Sequence, residues 1–127
     1  MSGEVGAEGT QPGPFPPTDR LHTAADFRYV IRQGRRGAQP EAVVISAPTR
    51  SRTNPKARRL GVTVSRRVGG AVIRNHQKRR VREWFRATRA QVEPGRDLVV
   101  IVRPQSSRAT TRQFWAALDQ GLDESQG

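Results

Sequence analysis

The sequence predicts a single α/β domain in which helices pack on a small β-sheet. Short β-branched or apolar segments bounded by proline, glycine and polar residues are typical of strands, and longer segments with apolar residues at helical spacing are typical of helices. These segments follow one another in the order α-β-β-α-β-α, which favours a single two-layer α/β sandwich. With 127 residues, the chain is long enough for one such domain with a modest core.

Three regions are expected along the chain. Residues 1–20 are rich in glycine and proline and show no apolar periodicity, so we predict a disordered leader. Residues 21–122 contain all the predicted helices and strands and form the folded domain. Residues 123–127 are acidic and polar and are expected to fray.

The first helix is predicted to begin after Thr23, which is a suitable N-cap. Phe27, Val30 and Ile31 share one side of this helix and form its apolar stripe. Gly34 supplies a stop signal, so the helix is expected to end there.

Three segments have the pattern of strands. Residues 41–48 are β-branched and bounded by prolines, and residues 59–65 alternate between apolar and small or polar side chains, as in a strand with one buried face. Residues 97–104 include an unbroken apolar run, which is typical of a central strand covered on both faces. A last helix is predicted at about residues 110–122.

The charge of the chain indicates a polyanionic partner. It has 23 Lys and Arg against 11 Asp and Glu, a formal net charge of +12 and a pI of about 11.8. A compact chain of this charge repels itself, and binding to a polyanion is its usual purpose. The absence of cysteine excludes disulfides and cysteine zinc sites. With no secretory signal and no apolar run near the roughly 20 residues that span a bilayer, a cytoplasmic protein is expected.

The positive charge is concentrated in a helix predicted at about residues 71–90. Nine of the 24 residues from 66 to 89 are Lys or Arg, and Glu83 is the only acidic one among them. At about 100° per residue, an apolar side is expected to be buried. Its members are Ile73, Gln77, Val81, Trp84, Phe85 and Thr88. A basic stripe lies beside it and consists of Asn75, Lys78, Arg79, Arg82, Arg86 and Arg89.

A stripe of one sign differs from an ordinary solvated helix face, which mixes positive and negative charges in i,i+4 pairs. Like charges one turn apart lower helix stability, and an anionic partner explains why that cost is tolerated. Gly69 and Gly70, at the start of the helix, permit close approach of a ligand, although a plain tight turn explains them equally well.

The chain has few residues suited to catalysis. His22 and His76 are far apart in sequence, and neither accompanies a nucleophile motif. No paired carboxylates suggest a metal site of the kind that nucleases use. We therefore expect no catalytic residue and no metal site in the protein, and any chemistry is expected to come from a partner.

Residues 59–86, RLGVTVSRRVGGAVIRNHQKRRVREWFR, closely resemble the signature of the bacterial ribonuclease P protein component family. That family shows a Gly-x-x-Val-Ser-Lys-Lys-x-Gly-x-Ala-Val segment that runs into Arg-Asn-Arg. Residues 26–36 and 95–104 are similar to its first helix and last strand. The resemblance implies the fold of domain 2 of ribosomal protein S5, with a left-handed crossover through the basic helix, although crossovers are usually right-handed.

The resemblance also implies roles for individual residues. The residues expected to face the catalytic RNA are Arg74, Asn75, His76, Lys78, Arg79, Arg82 and Arg86. A cleft between the first helix and the sheet is expected to bind the 5′ leader of precursor tRNA through Phe27, Ile31, Ser65, Arg66 and Arg67, with the Phe27 ring stacking on an unpaired nucleotide. Three positions depart from the family pattern: His76 replaces an arginine, Ile31 stands where an aromatic residue is common, and Gly70 replaces a frequent asparagine or lysine.

The function implied is that of the RNA-binding protein subunit of the ribonuclease P ribonucleoprotein. In that family the RNA subunit is the catalyst and releases the 5′ leader from precursor tRNA by endonucleolytic cleavage. The expected partners are the RNA subunit and precursor tRNA, with Mg²⁺ held mainly by the RNA, no organic cofactor, no membrane and no obligate protein partner. The alternatives are a structural RNA-binding protein of the ribosome with an S5-like domain, and a DNA-binding protein that uses a basic helix.

Overall fold

The computed structural model describes residues 19–126, which form one four-stranded sheet with helices on both faces. The helices are α1 (Ala24–Gln33), α2 (Ala71–Thr88) and α3 (Thr111–Gln126). The strands are β1 (Arg35–Ala38), β2 (Ala42–Pro48), β3 (Arg58–Val64) and β4 (Arg96–Val102). The predicted disordered leader, apart from its last two residues, lies outside the described residues.

The strand order β1-β2-β4-β3 places β4 inside the sheet. β2 runs antiparallel to β1 and β4, whereas β3 runs parallel to β4. Because β3 and β4 are neighbours, α2 forms a crossover between two adjacent parallel strands. The α/β class is therefore confirmed. The hand of the crossover and the likeness to ribosomal protein S5 stay predictions.

β4 is covered on both faces, as its unbroken apolar run predicts. Leu98, Val100 and Val102 belong to the larger core, which lies under α2 and α3. Val99 and Ile101 point the other way, into a smaller core that α1 covers. This alternation follows from the two-residue period of a strand.

β1 is absent from the predicted order because its sequence, RRGA, has no apolar pattern. It pairs with β2 from Arg35 to Ala38 and lies beneath α3. A Cβ atom on Gly37 would lie 2.0 Å from the carbonyl oxygen of Gly121 in α3, so only glycine permits this close approach. A strand that is held by backbone pairing and by a glycine contact cannot be predicted from the spacing of apolar residues in the sequence.

The folded region is longer than predicted at both ends. Arg20 pairs with Leu60 of β3 in an isolated bridge, and Asp19 is buried. At the other end, α3 continues to Gln126 because its last turn is packed rather than frayed. Ser125 is fully buried, and the Gln126 side chain accepts a hydrogen bond from the Glu93 amide at 2.8 Å.

A buried carboxylate joins the start of β4 to β3 and to the loop after β2. Asp97 is fully buried and accepts hydrogen bonds from Arg59 at 2.7 and 3.0 Å, from the Thr49 hydroxyl at 2.8 Å and from the Arg50 amide at 3.1 Å. Hydrogen bonding to Asp97 raises the pKa of Arg59 above its usual value, in opposition to burial. Asp26 of α1 lies 3.5 Å from the same guanidinium and extends the network to α1.

Asp97→Asn is expected to lower the free energy of unfolding by about 3 kcal/mol, because it leaves the mostly buried guanidinium of Arg59 without its principal counter-charge. Urea denaturation measures this change. The exposed carboxylate of Asp123 offers a matched control, and Asp123→Asn should change stability by no more than about 0.5 kcal/mol. Equal effects of the two substitutions would contradict the role given to Asp97.

Candidate nucleic-acid interface

The basic helix α2 is fixed on the sheet by large side chains that are completely buried. Val81, Trp84 and Phe85 have no exposed surface and pack in the core with Leu98 and other residues of the sheet. The Trp84 indole Nε1 also donates a hydrogen bond to Oδ1 of Asp119 in α3, at 2.8 Å. These contacts fix the rotation of α2 about its own axis, and with it the direction of its basic stripe.

The structure places the predicted RNA-facing residues outside this core, as the helical spacing predicts. The exposed ones are Asn75, His76 and Arg79, and the half-buried ones are Arg74, Lys78, Arg82 and Arg86. The stripe therefore lies on the surface of the domain. Long basic side chains of this kind pack their aliphatic carbons against the protein and keep their charged groups at the solvent.

Two arginines of the stripe have carboxylate partners. Arg79 lies 3.2 Å from Glu83, one turn further along α2, in a pair that is exposed to solvent. An exposed pair of this kind contributes only about 0.3–0.5 kcal/mol, so Arg79 stays available to an external anion. Arg89 forms a two-point ion pair with the buried Asp19, which gives it a structural role in holding the first described residues.

The expectation that Ile73 is buried is wrong. Ile73 is 44% exposed, and its neighbour Val72 is 84% exposed. Both lie in the first turn of α2, where the side chain of Ile73 rests against Gly69 instead of the core.

Arg80 takes a buried place on the other flank of α2, which the helical pattern of apolar residues does not indicate. It donates to Gln77 at 2.8 Å and to the carbonyl oxygens of Ser106 and Ala109 at 3.3 and 2.9 Å. Its guanidinium also lies 4.7 Å from the centre of the Phe114 ring. Burial lowers the pKa of Arg80. Arg80 thus holds the turn after β4 against α2 through these hydrogen bonds and is not part of the basic surface.

Arg82 lies near two other arginines where α2 passes β3, since Arg20 lines the same pocket and Arg86 is one helical turn further along α2. Burial lowers the pKa of Arg82, and the positive charges of Arg20 and Arg86 lower it further. A phosphate group beside Arg82 would offset this repulsion. The sequence pattern places Arg20 in the leader and does not connect it to α2.

Phe27 lies against the backbone of β3 at Gly61. A Cβ atom on Gly61 would come within 2.5 Å of the tip of the Phe27 ring, so the glycine permits the ring to approach the strand closely. The ring is half-buried and lines a pocket of about 90 Å³ together with Leu21, Gly61 and Arg82, among others. Phe27, from the predicted leader group, and Arg82, from the predicted RNA-facing group, therefore line the same pocket.

The other predicted leader residues do not line this pocket. Ile31 is half-buried beside the smaller core, one helical turn along α1 from Phe27. Ser65, Arg66 and Arg67 are exposed where β3 ends in a 3-10 turn, four or more residues past Gly61, which is about 13 Å along a strand. Arg67 lines a separate pocket with Arg108, a residue that the sequence pattern does not indicate.

Within residues 19–126, no group of three or more histidine, aspartate or glutamate side chains is arranged to hold a metal ion. None of the helices in the same region is long and apolar enough to cross a membrane.

Residues 15–126 match the family model described as Ribonuclease P. The chain belongs to the ribonuclease P protein family. It is 39% identical over 99 residues to the ribonuclease P protein component of Desulforapulum autotrophicum, an alignment that covers 78% of this chain and 81% of the relative. It is 36% identical over 109 residues to the protein component of Herpetosiphon aurantiacus, with coverage of 86% and 85%.

Solved structures of the family agree with the fold. The RNase P protein of Staphylococcus aureus superposes with a TM-score of 0.72 at 30% sequence identity, over 83% of this chain and 93% of that protein. The RNase P protein from Thermotoga maritima superposes with a TM-score of 0.65 at 30% identity, over 78% and 90%. The recognition made from residues 59–86 is confirmed.

Membership in the family gives the function. The chain is an RNA-binding subunit of the ribonuclease P ribonucleoprotein, works with its RNA subunit and takes part in tRNA processing. In this family catalysis belongs to the RNA subunit. The ribosomal alternative is not favoured, since the relatives and the structural neighbours are ribonuclease P proteins.

Binding to the RNA subunit should depend steeply on salt, and Arg82→Gln with Arg86→Gln should make that dependence weaker. Each phosphate that is no longer neutralised by the protein reduces the slope of log K against log [salt] by about 0.7–0.9, so the slope of the double variant should be smaller by about 1.5. Fluorescence anisotropy at several salt concentrations measures the slope.

The control for this prediction removes two other exposed charges. Arg103→Gln with Arg112→Gln changes the net charge by the same amount at exposed positions outside α2 and should leave most of the slope intact. Equal slopes for the two double variants would mean that net charge matters and the stripe does not.

Proposed function

We propose that the stripe on α2 binds the RNA subunit and that the pocket between α1 and β3 binds the 5′ leader of precursor tRNA. The observation that carries this proposal is the shared pocket of Phe27 and Arg82. A half-buried ring beside guanidinium groups suits an unpaired nucleotide, because the base stacks on the ring and the phosphate pairs with the charge. A leader bound there would lie next to the RNA subunit, since Arg82 belongs to both surfaces.

In this proposal the protein contributes position and charge to a reaction carried out by RNA. The Arg20, Arg82 and Arg86 group neutralises leader phosphates that would otherwise repel the phosphates of the RNA subunit. The Phe27 ring fixes the register of the leader by stacking. Mg²⁺, which we propose is held mainly by the RNA subunit, supplies the activated water for hydrolysis of the phosphodiester.

Ser65, Arg66 and Arg67 belong to the proposal as a second contact with the leader, beyond the Phe27 pocket along β3. Their distance from Gly61 suits nucleotides further along the same strand of RNA. The cytoplasmic location expected from the sequence is part of the same proposal, because bacterial precursor tRNAs are made there. The proposal includes no obligate protein partner.

The test compares how strongly the reconstituted ribonucleoprotein prefers precursor tRNA over mature tRNA. Phe27→Leu keeps an apolar side chain on Gly61 but removes the ring, so the preference should fall about five- to tenfold, the scale of one base–aromatic stack. Affinity for mature tRNA should not change, because mature tRNA has no leader. Equilibrium binding at constant Mg²⁺ gives both values.

Phe114→Leu is the matched control, because Phe114 is a fully buried ring in the core on the opposite face of the sheet. It should lower the melting temperature and leave the preference for precursor unchanged at temperatures where the protein is folded. A preference that survives Phe27→Leu, or that falls equally in Phe114→Leu, would contradict the stacking role.

A further inference from the structure

A second basic and aromatic surface lies on the flank of α1 opposite Phe27 and Ile31. At 100° per residue, Tyr29 is about 160° around the helix from each of them. A pocket of about 240 Å³ opens on this flank, and its lining consists of Ala25, Arg28, Tyr29, Arg32, Gln33 and Arg50. α1 therefore stands between this pocket and the Phe27 pocket.

Tyr29 and Arg50 form a stacked pair on the floor of this pocket. The guanidinium carbon of Arg50 lies 5.0 Å from the centre of the Tyr29 ring, within the range of a cation–π contact. The backbone amide of Arg50 donates to the buried Asp97 at 3.1 Å, which fixes the loop that carries it. Tyr29 is half-buried against the smaller core. The stacked pair is thus held from both sides by packed parts of the domain.

Two further guanidinium groups stand beside this pair. Arg28 and Arg32 are exposed and one helical turn apart, so they share one side of α1. Within residues 19–126, neither has a carboxylate within 4.0 Å. The nearby carboxylate, Asp26, is engaged by Arg50 at 3.8 Å and by Arg59 at 3.5 Å. Among the described residues, the charges of Arg28 and Arg32 at this pocket are therefore not paired with a carboxylate.

The chemistry of this pocket suits an unpaired nucleotide. An aromatic ring with a guanidinium over it offers a stacking surface to a base, and the exposed guanidinium groups of Arg28 and Arg32 suit a phosphate. A base inside a double helix has no free face for such a surface. The favoured ligand is therefore single-stranded RNA.

We infer that Arg28, Tyr29, Arg32 and Arg50 bind an unpaired nucleotide of the 5′ leader, upstream of the nucleotides in the Phe27 pocket. This inference rests on the proposed function. Arg82 places the RNA-subunit surface on the Phe27 flank of α1, so the Tyr29 flank faces away from that surface. A leader that leaves the Phe27 pocket on the side away from Ser65 and crosses α1, a helix about 10–12 Å wide, reaches Tyr29.

The experiment measures the affinity of the reconstituted ribonucleoprotein for two precursors that differ only in leader length. One leader has about three nucleotides and fills the Phe27 pocket alone, and the other has about ten and reaches across α1. Arg28→Gln with Arg32→Gln should weaken binding of the long-leader precursor about tenfold, the scale of two solvent-exposed ion pairs. The short-leader precursor should bind as tightly as it does to the wild type.

Variants of Tyr29 test the stacking part separately. The advantage of the long leader is the ratio of the affinities for the long-leader and short-leader precursors. Tyr29→Phe keeps the ring and should preserve this ratio, whereas Tyr29→Leu should reduce it about fivefold. Thermal melting of both variants shows whether the domain remains folded. Arg103→Gln with Arg112→Gln removes two exposed arginines elsewhere and should leave the advantage of the long leader unchanged.

Each other result overturns the inference. Binding that weakens equally for both leaders, or weaker binding to the RNA subunit alone, would show that these residues serve the RNA subunit. If the Arg28 and Arg32 substitutions changed the binding of neither precursor, this flank of α1 would be an ordinary solvated surface that does not contact the leader. The short-leader precursor tests the proposed function separately. If the wild-type ribonucleoprotein bound this precursor no more tightly than mature tRNA, the proposed Phe27 site would be wrong. The effect of the Arg28 and Arg32 substitutions on the long-leader precursor would still be measured independently.

Discussion

The burial of one side of α2 against the sheet is the constraint on which the rest of the structure depends. Val81, Trp84 and Phe85 have no exposed surface. Burying each such side chain stabilises the domain by about 1.5–3 kcal/mol, whereas a pair of like charges one turn apart costs about 0.2–0.5 kcal/mol. Packing therefore decides which way the helix faces, and the repelling arginines are held together at the surface. In the proposed function, phosphates of the RNA subunit supply the counter-charge.

The same packing brings the functional groups of different elements together. α2 passes β3, so Arg82 lines the same pocket as Gly61, and the absence of a side chain at Gly61 admits the ring of Phe27 from α1. Asp97, fully buried at the start of β4, fixes Arg59 of β3 and the loop that carries Arg50. Each surface group in the proposed RNA-binding sites thus depends on a contact in the interior.

The sequence was sufficient to predict the features that repeat along the chain. The periodicity of α2 indicated its buried side and its stripe, and the apolar run from Leu98 to Val102 indicated a strand covered on both faces. Features that depend on one contact were not predictable in this way. β1 is held by pairing and by the approach of Gly37 to Gly121, Arg80 is buried by carbonyl groups of a distant turn, and Arg20 meets Arg82 only in the folded chain. The distance of Ser65, Arg66 and Arg67 from Phe27 likewise could not be predicted, because it depends on where β3 lies relative to α1.

The side of α2 left outside the core should face the RNA subunit, and site-specific cross-linking tests this most directly. Because the chain has no cysteine, a photo-cross-linker can be attached at a single site through Asn75→Cys on α2 or Asp123→Cys on α3, both of which are exposed. In the complex with ribonuclease P RNA, the cross-linker at position 75 should join the protein to the RNA, and the one at position 123 should give only background. Equal cross-linking from both positions, or none from position 75, would contradict this orientation of α2.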